Sequence, residues 1–446
     1  MEAAQEDPKF FAGYSAVDIT PEEPVPIAGF GNVMKRMSER AIDRLKAICI
    51  ALKDGQGESV LLYTVDLCEP EEAAADIRGT VCSTLGIPID HVFVNASHTH
   101  SGPATNADCE EIRQYRKALG EKLLEAAKIA LEDLAPAGLS FASASVADEN
   151  FTRHYILPDG TRTGYDSGAR GKHPVQHIGE NDPVMQFLRF ERENKKDILL
   201  VNWQGHMSRT GRATKFDMSA DVAGVIRDEI ESRLGVLCSY LNGASGNENL
   251  ISLIDDEHSV RPYDEQGKDI VSKALSNPEF AFLPIKAGRI KTQQMLFPGA
   301  VNHQDGHLVE EAEKVRKFWT ETNDRKATDE YAKAFGIRSP YHANAIVFRS
   351  KLGETRTIEL DVLSMGEAAI FFGSYEMFSE NALFVKRNSP FRATMCAGYS
   401  NENFVEYIPS IGTFSYEAYE RDTTKFVPGT GERLAELFVE MLNEIK

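Results

Sequence analysis

At 446 residues the chain has room for two to four domains of roughly 100–200 residues, or for one elaborated α/β domain. Its 49 Lys and Arg against 68 Asp and Glu leave a net charge of −19, which repels phosphate backbones and anionic headgroups and counts against general nucleic-acid binding or stable membrane association. A hydrophobic fraction of 42% and a charged fraction of 26% belong to a folded soluble chain and exclude disorder.

The opening residues, Met1 to Pro8, are polar and carry Glu2, Glu6 and Asp7, the opposite of a basic and then apolar signal peptide. No apolar run reaches the roughly eighteen residues of a transmembrane helix. The six cysteines, Cys49, Cys68, Cys82, Cys109, Cys238 and Cys396, have no CxxC spacing and read as free thiols of a cytoplasmic protein. Lys46–Leu52, Ser59–Asp66 and His91–Ala96 read as strands, being rich in Ile, Val, Leu and Tyr between turn residues. Glu110–Leu134 reads as a long helix ended by Pro136. Strands follow at Gly138–Val146, Val184–Phe190, Asp197–Trp203 and Val236–Asn242, with a helix over Ala220–Leu234. The Gly-rich segment Tyr155–Gly179, with Pro158 and Pro174, has no periodicity and reads as a long surface loop, a kind that often serves as a functional lid. Past a charged helical region around Leu308–Phe335, strands are expected near Ala343–Ser350, Thr355–Leu363 and Ala368–Phe372. The chain closes on an amphipathic helix whose apolar face is Leu434, Leu437, Phe438, Met441, Leu442 and Ile445, with Thr430 as its cap. With no repeat and no linker, residues 1–446 read as one α/β domain built on mixed sheets.

Familiar motifs are mostly missing. There is no GxxxxGK(S/T) phosphate loop, Gly29-Phe30-Gly31 lacks the third glycine of a dinucleotide fingerprint, and Gly243-Ala244-Ser245-Gly246 does not meet GxSxG. The informative stretch is Asn95-Ala96-Ser97-His98-Thr99-His100-Ser101-Gly102-Pro103. It follows an apolar strand, at the carboxyl end where α/β proteins build their sites. In an extended segment residues two apart share a face, so His98 and His100 can enter one pocket, one as ligand and the other as base; the plain alternative is a pair of hydrogen-bonded strand-end histidines. His206 stands just past the Ile198–Val201 run and Glu376 just past Phe371-Phe372. Alone, the first is a loop histidine and the second a first-turn helix glutamate. Together with His98 they would supply the three N/O ligands of a zinc hydrolase, which leaves one position open to water.

These residues resemble the catalytic, N-terminal domain of the neutral/alkaline (non-lysosomal) ceramidases, over nearly the whole chain. The likeness runs through Ala12-Gly13, Val17-Asp18-Ile19-Thr20-Pro21, Ile27-Ala28-Gly29-Phe30-Gly31, Asp43-Arg44-Leu45 and Val65-Asp66-Leu67. It continues with the specific Ser97–Pro103 block, Asn150-Phe151-Thr152-Arg153, Asp182-Pro183, Gly246-Asn247-Glu248-Asn249, Tyr407-Ile408-Pro409 and Tyr419-Glu420. It implies a mixed-sheet layered α/β catalytic domain with one Zn2+ held by His98, His206, Glu376 and Tyr407. It also implies His100 beside the ligands and Arg153 orienting the polar end of the substrate. Water activated by the metal would attack an amide or ester carbonyl, with Tyr407 or His100 stabilising the oxyanion or protonating the leaving group.

Three departures set the chain apart from true ceramidases. The family's Gly-Asp-Val-Ser-Pro loop, whose serine contacts the scissile amide, is here Gly246-Asn247-Glu248-Asn249-Leu250, so that Asn249 takes the serine's place. The usual Pro-Gly before the metal glutamate is Ser374-Tyr375, expected to crowd that ligand. The immunoglobulin-like domain that follows in ceramidases is not expected, as the sequence ends at Lys446 after its terminal helix. The expectation is therefore a zinc-dependent amidase or esterase for a small, soluble, polar substrate, with a carbohydrate derivative as one candidate. A metal-assisted carbohydrate lyase on the same ligands and a binding protein without turnover are the alternatives. Imidazole and carboxylate ligands also suit manganese, iron or nickel. Specificity is expected in Tyr155–Gly179 and Gln304–Gly336, and oligomeric state is left open.

Overall fold

The lysine-flanked run Lys46–Asp54 shows how the core is organised. Its even and odd residues are both apolar: Ala47, Cys49 and Ala51 face one hydrophobic cluster, Ile48, Ile50 and Leu52 another. A strand apolar on both faces must be covered on both, and it lies inside a nine-stranded mixed sheet. A computed structural model describes residues 10–30, 36–254 and 261–446; Gly31 of the Ile27–Gly31 motif and the acidic stretch Met1–Pro8 lie outside the described residues.

Across this sheet the strands run Leu237–Asn242, Ile198–Trp203, Val184–Arg192, Ala135–Ser145, Phe10–Asp18, Lys46–Asp54, Ser59–Val65 and Val92–Ala96, with Leu283–Ile285 added beside Ala135–Ser145. The outermost pair at each end is parallel and the rest are antiparallel. The sheet curls until its two ends meet: Asn242 donates its N–H to Asn95 Oδ1 at 2.9 Å, and the Thr64 and Ser239 hydroxyls bond at 2.9 Å.

A second sheet, ordered Ile290–Ala300, Thr355–Met365, Ala368–Gly373, Ala393–Ala397, packs face to face on the first. Phe93 stacks on Phe372 with ring centroids 4.5 Å apart, a pair worth about 0.5–1.5 kcal/mol beyond its buried area. Helices cover the outer faces. Glu71–Leu85 and Glu110–Glu132 pack on one half of the first sheet, Asp221–Leu234 and Tyr263–Ser276 on the other, and Thr430–Glu444 on the second sheet. The result is a layered mixed-sheet α/β fold, as expected. Among the described residues no helix is long and apolar enough to cross a membrane, and all six cysteines are free.

Three local expectations are corrected. Ala343–Ser350 belongs to a helix, Pro340–Arg349, not a strand: the Ser339 hydroxyl accepts the His342 N–H at 3.1 Å, Pro340 stands at the first turn, and Ala343, Ile346 and Val347 bury one stripe against Ala312, Val315 and Ala332. Tyr155–Gly179 is partly ordered as strand, since His154–Ile156 pairs with both Arg162–Gly164 and Gln176–His177, and Tyr155 and Tyr165 are buried. Thr430 does not cap the last helix. Gly429 holds the N-cap position in the left-handed conformation, and the Thr430 hydroxyl donates to the Val427 carbonyl.

Candidate metal centre

Five strands aim their carboxyl ends at one point. Beyond Val92–Ala96 comes His98, beyond Ile198–Trp203 comes His206, and beyond Leu237–Asn242 comes Ser245; the second sheet sends Glu376 past Ala368–Gly373 and Tyr399 past Ala393–Ala397. Buried amides brace these ends. Asn202 Nδ2 donates to the carbonyls of Leu241 (3.0 Å) and Cys396 (2.7 Å) while its Oδ1 accepts the Cys396 N–H, and Asn95 Nδ2 donates to Gly398 O at 2.5 Å. The two sheets are thereby locked where the site forms.

His98 adopts φ = 61° and so does not extend the preceding strand. Its ring and that of His100 meet through this left-handed turn, not through the alternation of a pleated strand, which corrects the stated route to one pocket. Left-handed backbone at a non-glycine residue costs of order 1–3 kcal/mol and persists where the surroundings over-determine it. Tyr399 is also left-handed, at φ = 48°, and stacks on His98 with centroids 4.0 Å apart.

Hydrogen bonds set the tautomers. His98 Nδ1 lies 2.8 Å from the Cys68 carbonyl and His206 Nδ1 3.2 Å from the Ser245 carbonyl. A carbonyl only accepts, so each Nδ1 carries the proton and each Nε2 presents a bare lone pair. Those two Nε2 atoms are 3.3 Å apart, and Glu376 Oε2 is 3.5 Å from that of His98. Two nitrogens bound tetrahedrally to Zn2+ at about 2.0–2.1 Å would themselves be about 3.3 Å apart. The donor set and its spacing fit a zinc ion. Burial suppresses protonation further: the His98 imidazole is pushed down to about 3 and that of His206 well below its usual range. Burial also drives the Glu376 carboxyl well up, against the pull of the Arg153 guanidinium. Glu376 accepts from the Tyr399 hydroxyl at 3.2 Å and is hydrogen-bonded by Tyr407.

His100 is differently placed. Its Nε2 is 3.1 Å from His98 Nε2, but among the described residues its buried Nδ1 has no partner, so no described carbonyl fixes its tautomer and the proton can reside on Nε2. Phe30 meets the ring edge-on at 5.1 Å. Gly29, at φ = +104°, lies so close that a Cβ there would fall 2.4 Å from His100 Cβ.

His98, His100, Glu376 and Tyr407 line a cavity of about 520 Å³. Arg153 lies behind it, its Nε 2.5 Å from Glu420 Oε1 and its guanidinium 5.3 Å over the Tyr407 ring; it touches the tyrosine and does not itself line the cavity. Glu420, held down to about 2 by Arg153 and His154 against its burial, also accepts from His154 Nε2 at 3.0 Å. Asn249 is buried in a two-residue strand bridging the His206 backbone; among the described residues both polar atoms of its amide lack partners, and it too is outside the cavity lining. Ser374 bonds the Glu359 backbone and Tyr375 packs in the apolar cluster of Phe371 and Met377, so neither side chain enters the cavity beside Glu376. The far wall is formed by helical Arg316, Tyr341, Asn344 and Phe348 and by Lys351 in the turn beyond Arg349, whereas Tyr155–Gly179 contributes nothing to the lining.

Sequence reading missed Tyr399, Cys68, Ser245 and the role of Glu420. Two act through backbone carbonyls, which leave no side-chain signal, and Tyr399 follows a strand that had no clear periodicity.

No known family profile matches the chain, and no curated protein matches it. Solved structures do. The crystal structure of neutral ceramidase from Pseudomonas aeruginosa superposes with a TM-score of 0.71 at 15% identity, covering 99% of this chain and 75% of that one. A ceramidase complexed with C2 superposes with a TM-score of 0.70 at 15% identity, covering 98% and 75%. The fold is ceramidase-like.

Proposed function

We propose that this chain is a zinc-dependent hydrolase that cleaves an amide or ester bond in a small polar substrate. The observation that carries the reading is the pair of Nε2 atoms of His98 and His206, 3.3 Å apart, with His98 lining a 520 Å³ cavity and His206 behind it. Lone pairs so close repel unless a cation or a shared proton lies between them. His98, His206, Glu376 and Tyr407 would hold the metal. Zinc, when bound, polarises a carbonyl and brings the pKa of water near neutrality. His100 holds a proton at Nε2 for hydrogen bonding to the reacting oxygen, and the Tyr407 hydroxyl can donate to the oxyanion. Arg153, clamped by Glu420, steadies the Tyr407 ring from behind. Tyr341, Tyr419 and Phe348 add aromatic surface to the cavity wall.

Substrate class follows from the lining. Asn106, Asn344, Arg316 and Lys351 offer hydrogen-bond donors on several sides of the cavity, a setting for hydroxyls or carbonyls, of a carbohydrate derivative for instance. Because ligands come from both sheets, we take residues 1–446 as one catalytic unit. Free thiols and the acidic surface favour a cytoplasmic setting.

The test is metal analysis with a panel of p-nitrophenyl esters, anilides and N-acetylated sugars. About one zinc per chain and turnover lost in His98→Ala are expected. A product absorbing as a new conjugated double bond would replace the hydrolase with a lyase. Tight ligand binding without turnover would leave a binding protein.

A further inference from the structure

Three carboxylates line the cavity, and their environments differ. Glu376 is engaged by Tyr399 and lies 3.5 Å from His98 Nε2. Glu406 is paired with Lys425 Nζ at 2.8 Å. Glu69 has no ion pair among the described residues. One of its oxygens accepts from Asn106 Nδ2 at 3.1 Å, and among the described residues the other has no hydrogen-bond partner. Its position is tied to the ligands twice over. It directly follows Cys68, whose carbonyl fixes the His98 tautomer, and Asn106, which holds its carboxyl, belongs to the same segment as His98 and His100.

We propose that Glu69 is the catalytic residue that carries the proton during hydrolysis, taking it from the attacking water and returning it to the leaving group. The proposal rests on the hydrolase reading above. In the first half, the water oxygen bonds to the carbonyl carbon, one O–H bond breaks with its proton passing to the free Glu69 oxygen, and the carbonyl π pair moves onto oxygen. In the second, that pair re-forms the carbonyl, the C–N or C–O bond breaks, and its electron pair takes the proton back from Glu69. Atoms and charge balance with no further reactant.

The electrostatics agree with this placement. Burial and then the neighbouring Glu406 charge push the Glu69 carboxyl up to about 7, where a group both accepts and releases a proton near neutral pH. The partly exposed side chain keeps contact with solvent through the cavity.

The experiment compares zinc-loaded wild type with Glu69→Gln and Glu69→Ala on p-nitrophenyl acetate. Expected are a fall in kcat of about 10²–10⁴-fold, an unchanged KM and zinc content, loss of the acidic limb of the kcat–pH profile, and partial rescue of Glu69→Ala by formate. Independently of turnover, the carboxyl carbon resonance that vanishes in Glu69→Gln should titrate near neutrality in the zinc-loaded wild type. Wild-type kcat in Glu69→Gln overturns the proposal and leaves the hydrolase reading standing. Loss of zinc from both variants also overturns it, by making Glu69 a ligand. Wild type inactive on this ester and on the whole panel overturns the hydrolase reading, and the proposal with it.

Discussion

Replacing His206 by alanine removes one of two facing lone pairs, and its effect can be sized from the structure. In the wild type, His98 and His206 present unprotonated Nε2 atoms 3.3 Å apart because the Cys68 and Ser245 carbonyls hold both Nδ1 protons. Zinc bound to the folded chain would stabilise it by about 4 kcal/mol when free zinc exceeds Kd about a thousandfold. At about 2.1 cal/mol/K per residue, 446 residues give an unfolding entropy of about 0.9 kcal/mol/K, so the melting temperature should rise by about 4 °C. His206→Ala should lose nearly all of that shift. Tyr399→Phe deletes the 3.2 Å hydrogen bond to Glu376 and the 2.9 Å bond that the hydroxyl accepts from Ser245 Oγ, supports of the kind whose loss costs about 10–100-fold in metal affinity; its shift should be about 1.5–3 °C under the same free zinc. The assay is a calorimetric melt of apo protein at a series of buffered zinc concentrations, with metal stoichiometry measured in parallel. A His206→Ala shift equal to that of the wild type, or no shift in the wild type, would refute the argument from the two lone pairs.

Two further outcomes follow from named contacts. Gly29→Ala would place a Cβ 2.4 Å from His100 Cβ at a φ of +104°, so His100 must move; a stability loss of about 1–3 kcal/mol is expected, with zinc still bound and turnover reduced, as denaturant melts, metal analysis and ester assays would show. The Glu420 carboxyl is held at about 2 in the fold against about 4.3 when unfolded. A depressed carboxylate stabilises above its unfolded pKa, so the advantage of wild type over Glu420→Gln should be full above about pH 4.5 and fade as pH falls towards 2. It amounts to at most about 3 kcal/mol. An advantage that stays constant across that window in urea melts would show that Arg153 and His154 do not draw on the Glu420 charge.

The legibility of this protein in its sequence has a physical boundary. Each strand or helix announces the burial of its own faces, which is why Lys46–Asp54, Val92–Ala96 and Ile198–Trp203 could be read from apolar runs, and why Glu110–Glu132 could be read from its period. Where local signals compete, the reading failed: Ala343–Ser350 holds a β-rich Ile-Val-Phe run, but the Ser339–Pro340 cap and the packing of Val315 and Ala332 made it helix. Candidate ligands could be named because polar histidines and a glutamate sit just past apolar strands, and the ordered series of motifs pointed to a ceramidase-like fold that the superpositions bear out.

Whether those side chains meet was decided by tertiary structure alone. His98 and His206 converge because the curled sheet brings its two ends together, and Glu376 joins them because the second sheet packs on the first, with Asn202 and Asn95 as struts. Backbone carbonyls at Cys68 and Ser245 then chose which nitrogen of each ring faces the other. Pairing order, sheet closure and a carbonyl's direction are relations between distant segments. No residue carries them by itself, so the sequence could nominate candidate side chains but could not bring them together.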